Sequence, residues 1–260
     1  MIVAIVLGAL QAITEFLPIS SSGHLLVAPW LFGFPNPGLA FDAALHIGTS
    51  IALIGYFWKD FTQLIKDRSP LLKLILIASV PGGVIGFLGE KVIDGTFHES
   101  NSAIPIVAVG MILATLIIWY IDVHAGQKKP LEKLTQKDAI YIGLGQALAL
   151  IPGVSRSGST IAAGLAVGLK REAAARFSFL IGTPIALGAG LYKLLGLLTD
   201  SSTDINILEV GVGILVSAAL GAVVIKWLLR YLQTHSLKVF LIYRLVFASL
   251  VLIIYYVRTV

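Results

Sequence analysis

The side chains best suited to phosphate chemistry lie in two short polar interruptions of an otherwise apolar chain. The first interruption follows Gln11 and Glu15, which are four residues apart and therefore share one face of a helix. Pro18 breaks that helix, and three serines at 20–22, followed by His24, begin the next one. Backbone N–H groups at such a helix start bind anions, and the hydroxyls add donors and one candidate nucleophile. Glu15 fits a general base or a metal ligand, and His24 fits an acid, a base or a phosphate contact.

The second interruption centres on Arg156, which has serine or threonine at positions 155, 157, 159 and 160. An arginine within a membrane costs roughly 2.5–3.5 kcal/mol on insertion scales, so it must face water or a partner. Its planar guanidinium matches two phosphate oxygens at once, which predicts an anion clamp. The alternative is that Arg156 only fixes a tight turn.

The composition identifies the class of protein to which these residues belong. The chain has 260 residues, of which 57% are hydrophobic and 13% charged, and its mean hydropathy is +0.92. A soluble domain carries about 25% charged residues, and about 20 apolar residues cross the hydrocarbon layer of a membrane. The sequence therefore predicts an all-α integral membrane protein and excludes soluble enzymes and nucleic-acid binders. The absence of cysteine excludes disulfides and thiolate metal sites.

Ten apolar segments follow one another along the chain. They are approximately 2–16, 21–33, 40–58, 71–89, 103–122, 139–151, 157–169, 176–198, 206–226 and 237–258. Two pairs are too short to cross a membrane easily, and each pair is separated by one of the polar interruptions. Short helices joined by Pro and Gly are typical of re-entrant hairpins, whose broken backbone is tolerated only inside protein or in a wet cavity.

The chain also repeats itself. Residues 8–23 align with residues 143–158 at a constant offset of 135, and residues 47–53 match residues 181–187 at six of seven positions. The identical pairs in the first alignment include Gly8/Gly143, Gln11/Gln146, Ala12/Ala147, Ser20/Ser155, Ser22/Ser157 and Gly23/Gly158. We interpret the chain as a single membrane domain, with repeat 1 at about 1–122, a cytoplasmic linker at about 123–138 and repeat 2 at about 139–260.

The placement of basic residues predicts the topology. The net charge is +5, and 14 of the 19 basic residues fall on one side if each repeat has one re-entrant hairpin and three crossing helices. These are Lys59, Lys66, Arg68, Lys73, Lys128, Lys129, Lys133, Lys137, Lys170, Arg171, Arg176, Lys226, Arg230 and Lys238. The positive-inside rule places that side in the cytoplasm and both termini outside. The repeats are then inverted, with six crossing helices and two hairpins that meet near the midplane.

A central anion site in such a fold suits two classes of protein. A secondary transporter fits the inverted repeats and broken helices. A membrane phosphohydrolase fits the serines beside Glu15 and the arginine clamp. The carboxylate favours the phosphohydrolase, because an anion carrier has little use for a carboxylate beside its anion. A divalent cation that bridges the carboxylate and phosphates would remove this objection.

Two long motifs resemble a known family. QAITEFLPISSSGH at 11–24 and PGVSRSGST at 152–160 are similar to the signatures of bacterial undecaprenyl-diphosphate phosphatases, also called the bacitracin-resistance protein family. The likeness covers the whole chain and includes RFSFLIGTP at 176–184. Gln11 departs from many relatives, which carry glutamate there, so Gln11 is the weaker metal ligand and Glu15 is the only carboxylate of the pair.

The resemblance implies hydrolysis of undecaprenyl diphosphate to undecaprenyl phosphate and inorganic phosphate, which recycles the lipid carrier for peptidoglycan synthesis and confers bacitracin resistance. It implies a divalent metal ion, Mg²⁺ or Ca²⁺, bound with the substrate. It places the protein in the bacterial plasma (inner) membrane with a site that opens to the outer face. Its partners would be the polyprenyl diphosphate and membrane lipids, with no nucleic acid; a homodimer is left open. The alternative is a transporter or flippase of an anionic lipid phosphate.

The resemblance also assigns roles to individual residues. Glu15 orients or deprotonates the nucleophile or binds the metal, Ser21 is the candidate nucleophile, and His24 assists. Arg156 is the remaining catalytic residue. The residues expected to bind the diphosphate are Ser20, Ser22, Ser155, Ser157 and Thr160. Attack by Ser21, through a phosphoserine, and direct attack by water both stay open.

Two further basic residues lie inside apolar segments. We expect Lys193 to extend toward the membrane surface and Arg244 to pair with a backbone carbonyl, both as structural groups.

Overall fold

The computed structural model describes residues 1–34, 38–97, 103–199 and 206–259. Within these ranges the chain forms eleven α-helices and one short 3-10 helix. The α-helices are α1 (Ile2–Phe16), α2 (Ser21–Phe32), α3 (Leu39–Tyr56), α4 (Trp58–Lys66), α5 (Pro70–Phe97), α6 (Ala103–His124), α7 (Gln136–Leu148), α8 (Arg156–Ala166), α9 (Arg171–Thr199), α10 (Ile207–Thr234) and α11 (Lys238–Thr259). The 3-10 helix is Leu131–Lys133. Each of the ten predicted apolar segments corresponds to an α-helix.

Five stretches within the described residues are long and apolar enough to cross a membrane. They are Pro70–Gly89, Ala103–His124, Arg171–Tyr192, Ile207–Thr234 and Lys238–Thr259. The first of them exposes large apolar side chains such as Leu76, Val80 and Phe87, as expected for a surface that faces lipid. The chain is therefore an all-α, multi-pass membrane protein. The sixth predicted crossing, at 40–58, corresponds to α3 and is not among the five.

The two polar interruptions form the breaks 17–20, between α1 and α2, and 149–155, between α7 and α8, and both end in the same capping arrangement. Leu17 is extended, as expected for a residue that precedes proline, and it ends α1. Ser20 then caps α2: its φ is 75°, and its hydroxyl accepts a hydrogen bond from the N–H of Gly23. Ser155 caps α8 in the same way, with a φ of 75° and a bond from the N–H of Gly158. Both serines therefore occupy a backbone region that is unfavourable for residues other than glycine.

Glycine allows the helices beside the breaks to approach closely. A Cβ atom on Gly8 of α1 would lie 2.7 Å from the carbonyl oxygen of Gly213 in α10. A Cβ atom on Gly143 of α7 would lie 2.5 Å from the carbonyl oxygen of Ala78 in α5. Neither contact leaves room for a side chain. The two contacts are related by the offset of 135 that relates the repeated sequences.

The largest apolar cluster packs behind the first break. Phe16, the last residue of α1, is fully buried and meets Phe179 of α9 edge to face, with ring centroids 5.5 Å apart. Leu53 of α3 and Leu228 of α10 are fully buried in the same cluster. Helices from both halves of the chain therefore share one core, which fixes the end of α1 where the first polar segment begins.

Helix α4 was not predicted. The apolar segment at 40–58 was interpreted as one helix, but the chain changes direction at Phe57, which is fully buried. The following helix buries only Leu64, so it has no long apolar run that would have identified it. Arg176 lies over the ring of Phe57, 5.6 Å from its centroid, and holds the junction against α9.

Helix α7 begins three residues earlier than the predicted start at 139. Thr135 and Asp138 form a capping box, in which each side chain bonds the backbone N–H of the other residue. This cap starts the helix within the polar linker, before its apolar part. Lys129 donates to the carboxylate of Asp138 at 2.9 Å and ties the linker to the cap.

Candidate active site

The carboxylate of Glu15 is the centre of the polar cluster. Its Oε2 atom accepts hydrogen bonds from the hydroxyl of Ser21 at 2.7 Å and from the amide of Gln11 at 3.1 Å. Its Oε1 atom accepts from Nη2 of Arg156 at 2.6 Å. Glu15 is only 6% exposed, so these bonds replace water around its charge. The structure thus brings together four of the predicted site residues.

Three helices position this cluster. Gln11 and Glu15 lie in the last two turns of α1, on the face that the four-residue spacing predicted. Ser21 is the first residue of α2, and Arg156 is the first residue of α8. The two polar interruptions therefore meet, although Glu15 and Arg156 are 141 residues apart in the sequence.

The guanidinium of Arg156 packs against helix α9. Nη1 donates to the carbonyl oxygen of Ser178 at 3.3 Å. At Gly182, one turn further along α9, an added Cβ atom would collide with the guanidinium. Arg156 is thus held between the carboxylate of Glu15 and a bare stretch of helix backbone. Sequence reasoning assigned no role to Ser178 or Gly182, although Gly182 lies in the repeated segment at 181–187.

Most of the hydroxyls predicted to bind diphosphate make bonds that hold the breaks in shape. The hydroxyl of Ser157 donates to the carbonyl oxygen of Leu17 at 3.0 Å and so connects the two breaks. The hydroxyl of Thr160 bonds the carbonyl oxygen of Arg156 at 2.7 Å and lies 2.5 Å from the hydroxyl of Ser178. Ser155 and Ser157 share a hydrogen bond at 3.3 Å.

In the first break, Ser22 is exposed, Ser21 is half-buried and Ser20 is buried. The hydroxyls of Ser20 and Ser22 lie 3.4 Å apart. The N–H groups of Ser21 and Ser22 belong to the first turn of α2, where no carbonyl of the same helix can accept from them. This turn is therefore the accessible part of the predicted anion site.

His24 bonds other partners than the Glu15 cluster. Its Nδ1 atom lies 2.7 Å from the backbone oxygen of Ser20, and its Nε2 atom lies 2.9 Å from the hydroxyl of Tyr243 in α11. Phe247 stacks on the ring. Sequence reasoning did not identify Tyr243, because it is one aromatic residue in an apolar segment that contains several.

His46 is a second group that sequence reasoning missed. Its Nε2 atom lies 3.4 Å from Oε2 of Glu15, and its Nδ1 atom lies 2.8 Å from the carbonyl oxygen of Asp42. The imidazole is thus directed at the carboxylate by the backbone of its own helix, α3. A signal was present, because His46 directly precedes the repeated segment that begins at residue 47.

Arg244 pairs with backbone carbonyls, as predicted. It is fully buried, and its guanidinium donates to the carbonyl oxygens of Pro18, Gly153 and Val154. The first of these acceptors lies in the first break and the other two lie in the second. Arg244 therefore joins both breaks from α11. The side chain of Lys193 lies outside the described residues.

The pair Gln11 and Glu15 fits a divalent cation in part. Carboxylate and amide oxygens are ligands of Mg²⁺ and Ca²⁺. Oε1 of Gln11 is buried and has no hydrogen-bond partner, an arrangement that a cation would satisfy. In the part of the chain that the structure describes, no group of three or more histidine or acidic side chains could hold a metal ion. The pair therefore suits a cation whose remaining ligands come from phosphate and water.

The cluster combines the groups needed for phosphoryl transfer. The carboxylate of Glu15 can take a proton from a hydroxyl that is already bonded to it. The guanidinium of Arg156 can bind phosphate oxygens through a pair of N–H groups. The start of α2 adds backbone donors for the same anion.

Comparison with known proteins agrees with this chemistry. The family model described as bacitracin resistance protein BacA matches residues 4–250. A protein of Moorella thermoacetica named undecaprenyl-diphosphatase is 42% identical over 263 residues, which cover 98% of each chain. Proteins of the same name from Caldicellulosiruptor bescii and Thermomicrobium roseum are 40% and 41% identical, covering 99% and 96% of this chain and 98% and 96% of their own. The chain belongs to the bacitracin resistance protein BacA family.

Proposed function

We propose that this protein hydrolyses undecaprenyl diphosphate to undecaprenyl phosphate and inorganic phosphate, and thereby recycles the lipid carrier of cell-wall synthesis and confers bacitracin resistance. The observation that carries the proposal is the hydrogen bond from Ser21 to Glu15 at 2.7 Å, with Arg156 on the other oxygen of the same carboxylate. A hydroxyl, a base and an anion clamp are thus assembled at one point. A carrier of anions has no need of the first two.

The diphosphate would bind between the start of α2 and Arg156. The guanidinium has five N–H groups, and its bonds to Glu15 and to the Ser178 carbonyl use two of them. The others can bind phosphate oxygens beside the N–H groups of Ser21 and Ser22. Ser20, Ser155, Ser157 and Thr160 support this site by holding the two breaks. The prenyl tail would remain in the lipid.

Glu15 then acts as the base. In one route, Ser21 Oγ attacks the terminal phosphorus and its proton passes to Glu15. The bond from that phosphorus to the bridging oxygen breaks, undecaprenyl phosphate leaves, and water hydrolyses the phosphoserine. In the other route, a water molecule in place of Ser21 Oγ gives a proton to Glu15 and attacks the terminal phosphorus. The bond to the same bridging oxygen breaks, and undecaprenyl phosphate and inorganic phosphate leave. We propose that His24 assists either route.

A divalent cation, Mg²⁺ or Ca²⁺, would be held by Glu15 and, more weakly, by Gln11 together with the diphosphate. When bound, it neutralises negative charge that develops on the phosphate oxygens. The buried Oε1 atom of Gln11, which has no hydrogen-bond partner, supports this part of the proposal.

The proposed fold around the site is an inverted repeat with two re-entrant hairpins, α1–α2 and α7–α8, and six crossing helices. The equal φ of Ser20 and Ser155 supports it, as do the glycine contacts related by the offset of 135. The distribution of basic residues supports an orientation with the basic loops in the cytoplasm and both termini outside. The family resemblance supports a place in the bacterial inner membrane with the site open to the outer face. A homodimer stays a prediction.

The test is release of phosphate from undecaprenyl diphosphate by the purified protein in detergent. The reaction is run with Mg²⁺, with Ca²⁺ and with EDTA, and alongside it with Arg156→Ala and with Arg258→Ala as a control at an exposed site. We expect metal-dependent release that is lost in Arg156→Ala and kept in Arg258→Ala. The absence of release by folded protein with any metal would contradict the proposal. Lipid phosphate flux across liposomes would then test the carrier.

A further inference from the structure

The imidazole of His24 is enclosed by the start of its own helix and by α11. Both ring nitrogens are engaged, Nδ1 by the backbone oxygen of Ser20 and Nε2 by the hydroxyl of Tyr243. The ring is 3% exposed and stacks on Phe247, with centroids 4.2 Å apart and an interplanar angle of 13°. The two hydrogen bonds therefore fix the rotation of the ring, and the stacked ring of Phe247 covers one of its faces.

These partners determine where the proton of the neutral ring lies. A backbone carbonyl can only accept, so Nδ1 must donate to Ser20. Nε2 then has no proton and accepts from the hydroxyl of Tyr243. The hydrogen bonds therefore assign to His24 the tautomer with its proton on Nδ1. The hydroxyl of Tyr243 is the donor that satisfies the unprotonated Nε2.

The second break shows which part of this arrangement the backbone requires. Ser159 occupies the position that corresponds to His24 at the offset of 135. Its hydroxyl donates to the carbonyl oxygen of Ser155 at 2.9 Å, as His24 donates to that of Ser20. A serine is thus sufficient to hold the carbonyl of a capping residue with a φ of 75°. The Nε2 atom of the imidazole and its bond to Tyr243 are therefore not required for the backbone of the break.

We infer that Tyr243 is a positioning residue that acts through His24, keeping Nε2 free of a proton and the ring in place beside the start of α2. This inference rests on the proposed function, in which His24 assists phosphoryl transfer. In this state Nε2 carries no proton, so His24 cannot act as an acid through that nitrogen. Tyr243 is about half exposed on α11, whereas His24 is buried.

The first test is the variant Tyr243→Phe, which removes the hydroxyl and keeps the aromatic ring. Tyr256→Phe is the matched control, because Tyr256 lies on the same helix and is 67% exposed. We expect Tyr243→Phe to lower kcat about 10- to 100-fold, the usual effect of losing a group that orients an active-site residue, with little change in KM. Tyr256→Phe should match the wild type. A kcat of Tyr243→Phe equal to that of the wild type would overturn the inference.

A double-mutant cycle tests whether Tyr243 acts through His24. His24→Ser reproduces the second break, because serine can still bond the Ser20 carbonyl but offers no Nε2. We expect His24→Ser to fold, and Tyr243→Phe to cause no further loss of kcat in that background. An equal loss in both backgrounds would mean that Tyr243 acts independently of His24, which would also overturn the inference.

A third measurement does not depend on turnover or on the folding of His24→Ser. The ¹⁵N resonances of the His24 imidazole, recorded in detergent, should show a protonated Nδ1 and a proton-free Nε2. The Nε2 resonance should shift in Tyr243→Phe and stay in place in Tyr256→Phe. A proton on Nε2 in the wild type, or no shift in Tyr243→Phe, would refute the inference. If the wild type released no phosphate, the proposed function would fail, while these spectra would still decide the role of Tyr243.

Discussion

The guanidinium of Arg156 occupies the space in which residue 182 would carry a Cβ atom. A larger residue at position 182 would therefore force the Arg156 side chain to move from the place where it meets Glu15. The requirement concerns space rather than backbone conformation, since Gly182 lies within the regular helix α9. Gly182, which belongs to the repeated segment at 181–187, thus makes room for the arginine of the anion clamp.

We expect Gly182→Ala to lower phosphate release about 100-fold, because a displacement of 1 Å in a positioning group can have that effect. Gly188→Ala is the matched control on the same helix, since no atom lies within 4 Å of a Cβ at that position. Both variants should fold, which thermal unfolding in detergent can verify. Full activity of Gly182→Ala would show that Arg156 can act from another position.

Glu15→Gln preserves the shape of the side chain and removes its charge. We expect a loss of kcat of about 10²- to 10⁴-fold, because the hydroxyl of Ser21 loses its proton acceptor. Glu209→Gln is the control, since Glu209 pairs with the chain's N-terminus at an exposed position. Phosphate release at saturating substrate measures both variants, and near-normal kcat in Glu15→Gln would exclude Glu15 as the base.

Ser21→Ala separates the two routes of attack. If a phosphoserine forms, the variant should lose nearly all activity, and acid quenching of the wild type with β-³²P-labelled substrate should trap labelled Ser21. If water attacks directly, no label is trapped and Ser21→Ala keeps a measurable rate. Retention of most activity would exclude Ser21 as the nucleophile.

Gln11→Glu places a second carboxylate beside Glu15. We expect activity to persist and the Mg²⁺ concentration at half-maximal rate to fall, because a second carboxylate strengthens a site for a hard cation. The measurement is a Mg²⁺ titration of phosphate release for both proteins. A severe loss of activity would instead assign a specific task to the amide of Gln11.

Arg244→Gln should destabilise the protein. Each charged hydrogen bond to a buried carbonyl contributes about 1.5–3 kcal/mol, and Arg244 makes such bonds to both breaks. Arg258→Gln is the control, because Arg258 also bonds carbonyls from α11 but at an exposed site. Thermal unfolding in detergent should show a clearly lower Tm for Arg244→Gln alone. Equal Tm values would mean that the bonds of Arg244 are replaced by water.

The sequence predicted every α-helix of the described residues except α4, together with the two breaks, because their signals are local. Apolar runs, Pro18 and the capping serines each act within a few residues. Charge and residue type also predicted that Glu15 and Arg156 belong to one site. The start of α7 was predicted three residues too late, because the polar linker gave no sign of a helix. The capping box of Thr135 and Asp138 begins the helix within that linker.

The remaining site residues could not be predicted, because their roles come from the packing of distant helices. Ser178 and Tyr243 enter through α9 and α11, and nothing in their immediate sequence distinguishes them from ordinary core or interface residues. His46 enters through α3, and its position before the repeated segment at 47–53 does not show which side chain it would meet. His24 was predicted as a site residue, but its hydrogen-bond partner Tyr243, 219 residues away, was not. Pairing of this kind is decided by helix contacts rather than by local pattern.

The hydrogen bonds between the breaks restrict how the protein can move. Ser157 bonds Leu17, Arg244 bonds Pro18, and Arg156 bonds Glu15; each bond joins the first half of the chain to the second. A carrier that moved one half of the chain against the other would have to break and remake these bonds in every cycle. A hydrolase has no such requirement, since its substrate can enter and its products can leave by the same side. The hydrogen bonds between the breaks thus favour a site that stays in place while the lipid headgroup diffuses to it.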